Sequence, residues 1–242
     1  TILVCDWIVT HLVYANGQKN LALNLKQKAV GEIMEISLKA DIKQLTKGLN
    51  RAAKKQIPFA TSKALNLSGV KVLAAMNAQA KTKFEGGATA STLRAFKIPR
   101  GLRGKRHNIE FSDKKELSLT IKMPSWAEEY LQWQVFGGIK AEQKKQAVPT
   151  YNKRLNKFGN IAGRKSGLIK GNKQFIATIK GITGVWQRFG KGGRQVKLLI
   201  AFEDDVAYKP KFPFFQIGTF VFNSQFPKLF RKELSNAIKT AK

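Results

Sequence analysis

Lysine and arginine side chains are the groups in this sequence best suited to bind a ligand. Fourteen Lys and Arg residues lie between Gln143 and Phe202, a span of 60 residues that contains no Asp or Glu. Cations at this density repel one another unless solvent ions or a polyanion share their surface. DNA or RNA would supply such a polyanion. The cations are Lys144, Lys145, Lys153, Arg154, Lys157, Arg164, Lys165, Lys170, Lys173, Lys180, Arg188, Lys191, Arg194 and Lys197.

The charge of the whole chain points the same way. Its 242 residues carry a formal net charge of +29, beyond the magnitude of about 2–8 that is typical of a small soluble domain. No zinc-finger spacing, RNA-recognition motif or recognition helix is present, so we expect phosphate contacts that do not depend on base sequence. The residues predicted to make them are Lys153, Arg154, Lys157, Arg164, Lys165, Lys170, Arg100, Arg103 and Arg106.

The aromatic residues near these cations have two interpretations. Tyr151 and Phe158 lie in Gly- and Lys-rich surroundings, where they either stack on bases or pack within the fold. Phe175 and Phe202 lie in alternating segments, which favours the core. A lysine-rich surface is also often only a solvated face, and that alternative stays open.

The sequence contains few residues that could catalyse a reaction or bind a metal. One cysteine and two histidines exclude an internal disulfide framework and a Cys-rich zinc site. Neighbouring carboxylates diverge on a helix or strand, so neither Glu128–Glu129 nor Asp204–Asp205 forms an acid–base pair by itself. No phosphate-binding loop or nucleophile elbow is present. We therefore predict no catalytic residue, no metal and no cofactor.

No apolar run approaches the 18 or more residues of a membrane span, and the first residues do not resemble a secretory signal. We expect a soluble protein, without membrane contact, that assembles in a reducing compartment. Residues 1–33 carry three Lys against one Asp and one Glu and are interpreted as an extension outside the fold. A hairpin of Ile2–Val4 and Trp7–Val9 is the alternative. Residues 34–242 are expected to form a single domain.

The hydrophobic periodicity predicts an α+β fold, in which an antiparallel meander packs against N-terminal and C-terminal amphipathic helices, with long basic loops between them. Residues 88–107 are expected to be a mobile loop, and Gly190–Arg194 a hairpin loop. The predicted elements are a strand from Met34, a helix from Asp41 to Pro58, a helix from Phe59 to about Phe84, a hairpin of Asn108–Phe111 and Leu117–Ile121, a helix over Trp126–Trp133 that ends at Gly137–Gly138, strands at Phe175–Ile179 and Val196–Phe202, and a helix from about Pro227.

A series of glycines and aromatics in fixed order resembles the minor tail protein Z family of tailed bacteriophages and prophages. The series comprises Tyr130-Leu131, Gln134, Gly137-Gly138, Phe158-Gly159-Asn160, Gly184-Val185-Trp186-Gln187-Arg188, Tyr208 and Phe212, followed by an amphipathic helix. Met34–Leu38 and the segment from Pro58 to Asn66 are similar to the opening of that family. The resemblance covers residues 34–242. Lys140 departs from it, because arginine is expected after the double glycine, and lysine lacks the planar fork for bidentate phosphate contact.

The resemblance implies a structural virion protein that completes the head-proximal end of a phage tail, assembled in the host cytoplasm. It implies a homo-oligomeric ring, tail-tube, tail-terminator and head-connector proteins as partners, and non-specific contact with double-stranded DNA. Seven residues are expected to maintain the fold: Tyr130, Gly137, Gly138, Gly159, Asn160, Trp186 and Arg188.

Two other functions remain open. A free-standing nucleic-acid-binding protein would explain the charge but not the order of the motifs, and it would bind duplex DNA tightly as a monomer. A nuclease or lytic enzyme of a phage particle would need clustered carboxylates or a nucleophile, which the sequence does not offer.

Overall fold

The structure, a computed structural model, describes residues 23–24, 34–39, 51–84, 86–98, 101, 105–106, 108–161, 169 and 171–240. Helices and antiparallel sheets together confirm the α+β class. The helices are α1 Arg51–Lys83, α2 Ala90–Ala95, α3 Ser125–Val135 and α4 Phe214–Lys239. The strands are β1 Leu23–Asn24, β2 Glu35–Lys39, β3 Lys105–Arg106, β4 Ile109–Glu110, β5 Ser118–Lys122, β6 Gly138–Pro149, β7 Gln174–Ile179, β8 Ile182–Phe189 and β9 Gln195–Tyr208.

The chain divides into two compact units. The first unit comprises residues 1–81, 90–132 and 212–242, and the second unit comprises residues 82–89 and 133–211. Each unit contains one of the two antiparallel sheets. That residues 34–242 fold as a single domain stays a prediction.

The first unit contains a five-stranded sheet in the order β1-β2-β5-β4-β3. In its centre Ile36 lies opposite Ile121 and Leu38 opposite Leu119, and all four side chains are buried, as alternation on one covered face requires. The predicted hairpin is confirmed, since β4 pairs antiparallel with β5. β1 pairs with β2, which differs from the expectation that residues 1–33 lie outside the fold; the alternative hairpin lies outside the described residues.

Helix α1 corrects the prediction that Pro58 ends a helix. The helix runs for 33 residues with Pro58 inside it, although proline removes one backbone hydrogen bond and crowds the preceding turn. A row of buried residues that begins just before Pro58 and continues beyond it holds the helix together: Ile57, Ala60, Ala64, Ser68, Val72, Met76 and Ala80 recur every three or four positions. The predicted start at Asp41 lies outside the described residues. Gly86 and Gly87 follow the helix with positive φ angles of 69° and 84°, as the sequence predicted.

Helix α4 corrects a second boundary. It begins at Phe214 and contains Pro227 in its interior, whereas the sequence analysis starts it at Pro227. The rings of Phe222 and Phe226 lie 5.1 Å apart, and those of Phe226 and Phe230 lie 5.9 Å apart. All three side chains are buried. At about 1.5–3 kcal/mol for each buried aromatic side chain, they offset the roughly 3 kcal/mol that an interior proline costs.

Residues 88–107 are not one long loop. Helix α2 and strand β3 lie within this segment. Phe96, just after α2, is buried against Phe212, with 5.3 Å between ring centroids. The prediction of a mobile loop missed this contact, because one buried ring in a cation-rich segment leaves no periodic pattern. None of the described helices has the length and hydropathy to cross a membrane.

The second unit contains a four-stranded sheet in the order β6-β9-β8-β7. β7 and β8 join through Lys180 and Gly181, whose φ angles of 52° and 79° suit a tight hairpin turn. Val185, Leu199 and Ile200 form its buried core, and Ile161 and Phe202 pack against them. β7 and β9 confirm the predicted strands at Phe175–Ile179 and Val196–Phe202.

Strands β6 and β8 were missed by the sequence analysis. The acid-free segment is therefore not mainly loop: Lys145 and Arg188, for example, lie on strands. Gly184 interrupts the apolar pattern of β8, but a side chain at this position would overlap the carbonyl oxygen of Ile200 on β9. The glycine is thus a requirement of strand pairing rather than a turn.

Candidate nucleic-acid interface

A loop spanning residues 150–161 carries three of the predicted phosphate-binding residues, and its first part is anchored to strand β9. The backbone N–H of Thr150 donates to the carbonyl oxygen of Leu199 at 2.9 Å. The Thr150 hydroxyl and the Asn152 side-chain amide donate to the carbonyl oxygen of Leu198 at 2.7 Å and 3.1 Å. These bonds place the following cations beside the sheet.

The tip of the loop is closed by Asn156. Its Oδ1 accepts hydrogen bonds from the backbone N–H groups of Phe158, at 2.9 Å, and Asn160, at 3.0 Å. Gly159 has a φ of 75°, a conformation that glycine adopts without steric cost. Behind the tip, a Cβ atom at Gly86 would overlap the carbonyl oxygen of Lys157. The tip therefore has a defined backbone that fixes where its side chains begin.

Lys153, Arg154 and Lys157 have no carboxylate partner among the described residues. Lys153 is half-buried, and Arg154 and Lys157 are exposed. The Lys157 ammonium lies 4.9 Å from the centroid of the Phe158 ring, a cation–π contact that leaves its charge uncompensated. Three cations within five positions of one loop create a positive surface suited to phosphate oxygens.

The described carboxylates of the second unit lie elsewhere on its sheet. Glu203, Asp204 and Asp205 occupy the half of β9 that pairs with β6, and Asp204 forms an ion pair with Lys145 at 3.3 Å. Glu203 lies four residues beyond Leu199, which is about 13 Å along a strand. That distance exceeds the Debye length of about 8 Å at physiological salt, so solvent largely screens these charges from the point where the loop is anchored.

The loop and the sheet enclose an open concavity of about 540 Å³. Cross-strand partners Gln174 and Gln187 contribute from β7 and β8, and Leu199, which is buried, contributes from β9. Its lining consists of Asn152, Lys153, Arg154, Leu155, Asn156, Lys157, Gln174, Gln187 and Leu199. The site thus combines cations, amides and two leucines.

The structure brings Lys153, Arg154 and Lys157 together. Arg100, Arg103, Arg164, Lys165 and Lys170 lie outside the described residues, and Arg106 is described only as backbone in β3. The sequence analysis missed Gln174, Gln187 and Leu199 as site residues. Gln187 was quoted only within the motif series, without a role in a site. Antiparallel pairing of β7, β8 and β9 brings the three residues to the loop.

The residues expected to maintain the fold lie at turns and packed positions. Gly137 and Gly138, with φ angles of 71° and 111°, connect α3 to β6. Trp186 is buried, and its indole N–H donates to the carbonyl oxygen of Ala177 at 3.0 Å. The Arg188 guanidinium lies 4.9 Å from the Phe175 ring centroid. Tyr130 lies partly exposed on α3, where its hydroxyl is 3.5 Å from that of Thr92, and Asn160 is an exposed part of the loop tip.

The aromatic residues of the loop differ in exposure. Tyr151 is 97% exposed, whereas Phe158 is half-buried beside Lys157. Within the described ranges, His, Cys, Asp and Glu do not gather in any group of three that would bind a metal. Compared with protein-family models, curated proteins and solved structures, the chain matches none of them.

Proposed function

We propose that this protein is a structural component of a phage or prophage tail and that its second unit holds double-stranded DNA through the phosphates. The observation that carries the DNA contact is the cluster Lys153, Arg154 and Lys157, which has no carboxylate partner among the described residues and lines a concave surface. The place in a tail derives from the resemblance of the motif series to the minor tail protein Z family.

Electrostatics makes such a contact independent of sequence. Each lysine or arginine that neutralises a phosphate releases condensed counterions, and that release favours binding whatever the bases are. A component that holds DNA as it passes needs this type of contact, because phosphates recur along every duplex whatever its sequence.

A homo-oligomeric ring belongs to the proposal, with tail-tube, tail-terminator and head-connector proteins as its neighbours. A single three-cation cluster makes a weak site, but several copies around one duplex act at a high effective concentration. The same arrangement separates this function from a free-standing nucleic-acid-binding protein, which must bind tightly as a monomer.

The test replaces Lys153, Arg154 and Lys157 with glutamine in a phage or prophage that encodes this chain. The matched control replaces Lys180, Lys191 and Lys209, three exposed cations of the same unit that do not line the concavity. We expect morphologically complete particles from both variants, with infectious titre at least about tenfold lower for the site variant.

Normal infectivity of the site variant would contradict the role of the cluster in DNA handling. Tight duplex binding by the isolated monomer, with normal tail assembly in its absence, would favour the free-standing nucleic-acid-binding protein instead.

A further inference from the structure

The concavity beside loop 150–161 has the size and lining of a ligand site. Its volume of about 540 Å³ falls within the range of roughly 300–1,000 Å³ that small-molecule sites occupy. Leu155, which is 37% exposed, supplies apolar surface, and the three loop cations also line the concavity. Phosphates on the outside of a duplex would contact only the cations. Duplex binding therefore does not account for the amides and leucines of the lining.

Gln187 is a residue of the lining whose side-chain amide has unused hydrogen-bonding capacity. It is half-buried on β8, and its side-chain amide makes no hydrogen bond with any of the described residues. Its two donors and its acceptor are therefore available to a ligand that enters the concavity. The neighbouring Asn152 donates from its nitrogen to Leu198, and no described group donates to its oxygen. The concavity therefore presents amide donors and acceptors beside the cations of one loop.

Amides beside apolar surface suit the edge and face of a nucleobase. Glutamine and asparagine form paired hydrogen bonds with base edges, aliphatic side chains contact the ring face, and the cations bind the attached phosphate. A base in an intact duplex cannot enter, because it is stacked and paired. Only a nucleotide that is unpaired presents base and phosphate together to one concave site.

We propose that this concavity binds an unpaired nucleotide of single-stranded DNA, with its base on Gln187 and Leu155 and its phosphate on Lys153, Arg154 and Lys157. The inference rests on the proposed function for the DNA contact and adds a preference for a single strand. In this arrangement the sheet contributes the hydrogen bonds to the base, and the loop neutralises the charge of the phosphate.

The test measures fluorescence anisotropy of a short labelled single-stranded oligodeoxynucleotide, and of the duplex of the same sequence, with the full chain. Gln187→Leu keeps the side-chain size and removes the amide, and Gln187→Glu keeps the shape and adds a negative charge. We expect each to weaken single-strand binding by about tenfold. Gln187→Leu, which leaves the charge of the site unchanged, should change duplex binding less than about twofold. Gln195→Leu, on the same sheet outside the concavity, is the matched control and should change neither.

Circular dichroism identifies a variant that fails to fold. If one Gln187 variant fails to fold, the binding of the other Gln187 variant tests the role of the amide. Replacement of Lys153, Arg154 and Lys157 with glutamine should weaken both nucleic acids. Free dAMP should displace the oligonucleotide only at concentrations at least about a hundredfold higher than those of the oligonucleotide itself, because it lacks the neighbouring phosphates.

Unchanged binding by both Gln187 variants, with duplex binding intact, would overturn this inference and leave the proposed function standing. Failure of the folded wild-type chain to bind either nucleic acid would overturn both. Equal affinity for free dAMP and for the oligonucleotide would overturn the assignment to a DNA strand.

Discussion

The two compact units differ in their ion pairs and in their buried cores. In the first unit the Lys63 ammonium lies 2.7 Å from the buried carboxylate of Glu233, and three stacked phenylalanines lie along α4. In the second unit the buried core cluster is Val185, Leu199 and Ile200, and the cations of loop 150–161 lack described carboxylate partners. An ion pair with a buried carboxylate and stacked aromatic rings thus stabilise the first unit. In the second unit Lys145 pairs with the exposed Asp204, and the loop cations have no described carboxylate partner.

The largest expected effect comes from the core of the first unit. Phe226→Ala removes the central ring of the stack on α4 and should lower the free energy of unfolding by about 3–5 kcal/mol. Phe220→Ala is the matched control, since this side chain on the same helix is 74% exposed and should cost no more than about 0.5 kcal/mol. Urea denaturation measures both, and equal losses would contradict the packing described for α4.

Close strand packing in the second unit gives the next effect. Gly184→Ala places a methyl group against the Ile200 carbonyl oxygen, so β8 and β9 must separate. We expect a loss of about 2–3 kcal/mol, seen as faster hydrogen exchange of the β8 and β9 amides. Gly181→Asn is the control, because its Cβ would meet open space and asparagine tolerates a positive φ. Unchanged exchange in Gly184→Ala would show that β8 does not need a glycine there.

Paired charge in the first unit gives a smaller effect. Lys63→Met leaves the Glu233 carboxylate, 5% exposed, without its cation and should destabilise the protein by about 1–2 kcal/mol. The value is below that of a fully buried pair because Lys63 is 44% exposed. Lys71→Met, at an exposed position of the same helix, should change stability by no more than about 0.5 kcal/mol. Equal thermal midpoints for the two variants would remove the distinction between paired and free cations.

The smallest effect is a pH dependence in the β4–β5 connection. Hydrogen bonds from the backbone N–H groups of Glu116 and Lys115 hold the pKa of Asp113 below its ordinary value of 3.8. A depressed pKa in the folded state means that the carboxylate stabilises the turn at neutral pH, and that this stabilisation is lost as the pH falls below 3.8 and through the lower folded value. Amide exchange in the turn should therefore accelerate over that acidic window, and Asp113→Asn should abolish the dependence. A wild-type exchange profile identical to that of Asp113→Asn would contradict it.

Local periodicity predicted much of the fold, and its failures have two physical causes. The helix boundaries at Pro58 and Pro227 were wrong because burial of residues close to each proline outweighs the lost hydrogen bond. Strand β8 was missed because Gly184 interrupts the alternation, although close contact with β9 is what demands a glycine there. Tertiary packing determined both helix boundaries and the formation of β8, and such packing cannot be inferred from the local pattern of one sequence.

The candidate site was predictable only in part for a related reason. Charge density was enough to select Lys153, Arg154 and Lys157, because lack of nearby acids is visible in the sequence itself. Gln187 and Leu199 lie at least 26 positions beyond the end of that loop and reach it only through strand pairing. The sequence analysis included Gln187 only in the motif series and Leu199 only in a predicted strand, because neither residue type by itself marks a binding site.

The most direct test of the central claim, that the loop cations of the second unit bind nucleic-acid phosphates, is the salt dependence of duplex binding. Each neutralised phosphate contributes about −0.9 to the slope of log binding constant against log salt concentration. Replacement of Lys153, Arg154 and Lys157 with glutamine should make that slope shallower by about 2.7, while the control replacement of Lys180, Lys191 and Lys209 should leave it close to the wild-type value. A site variant with the wild-type slope and affinity would contradict the account.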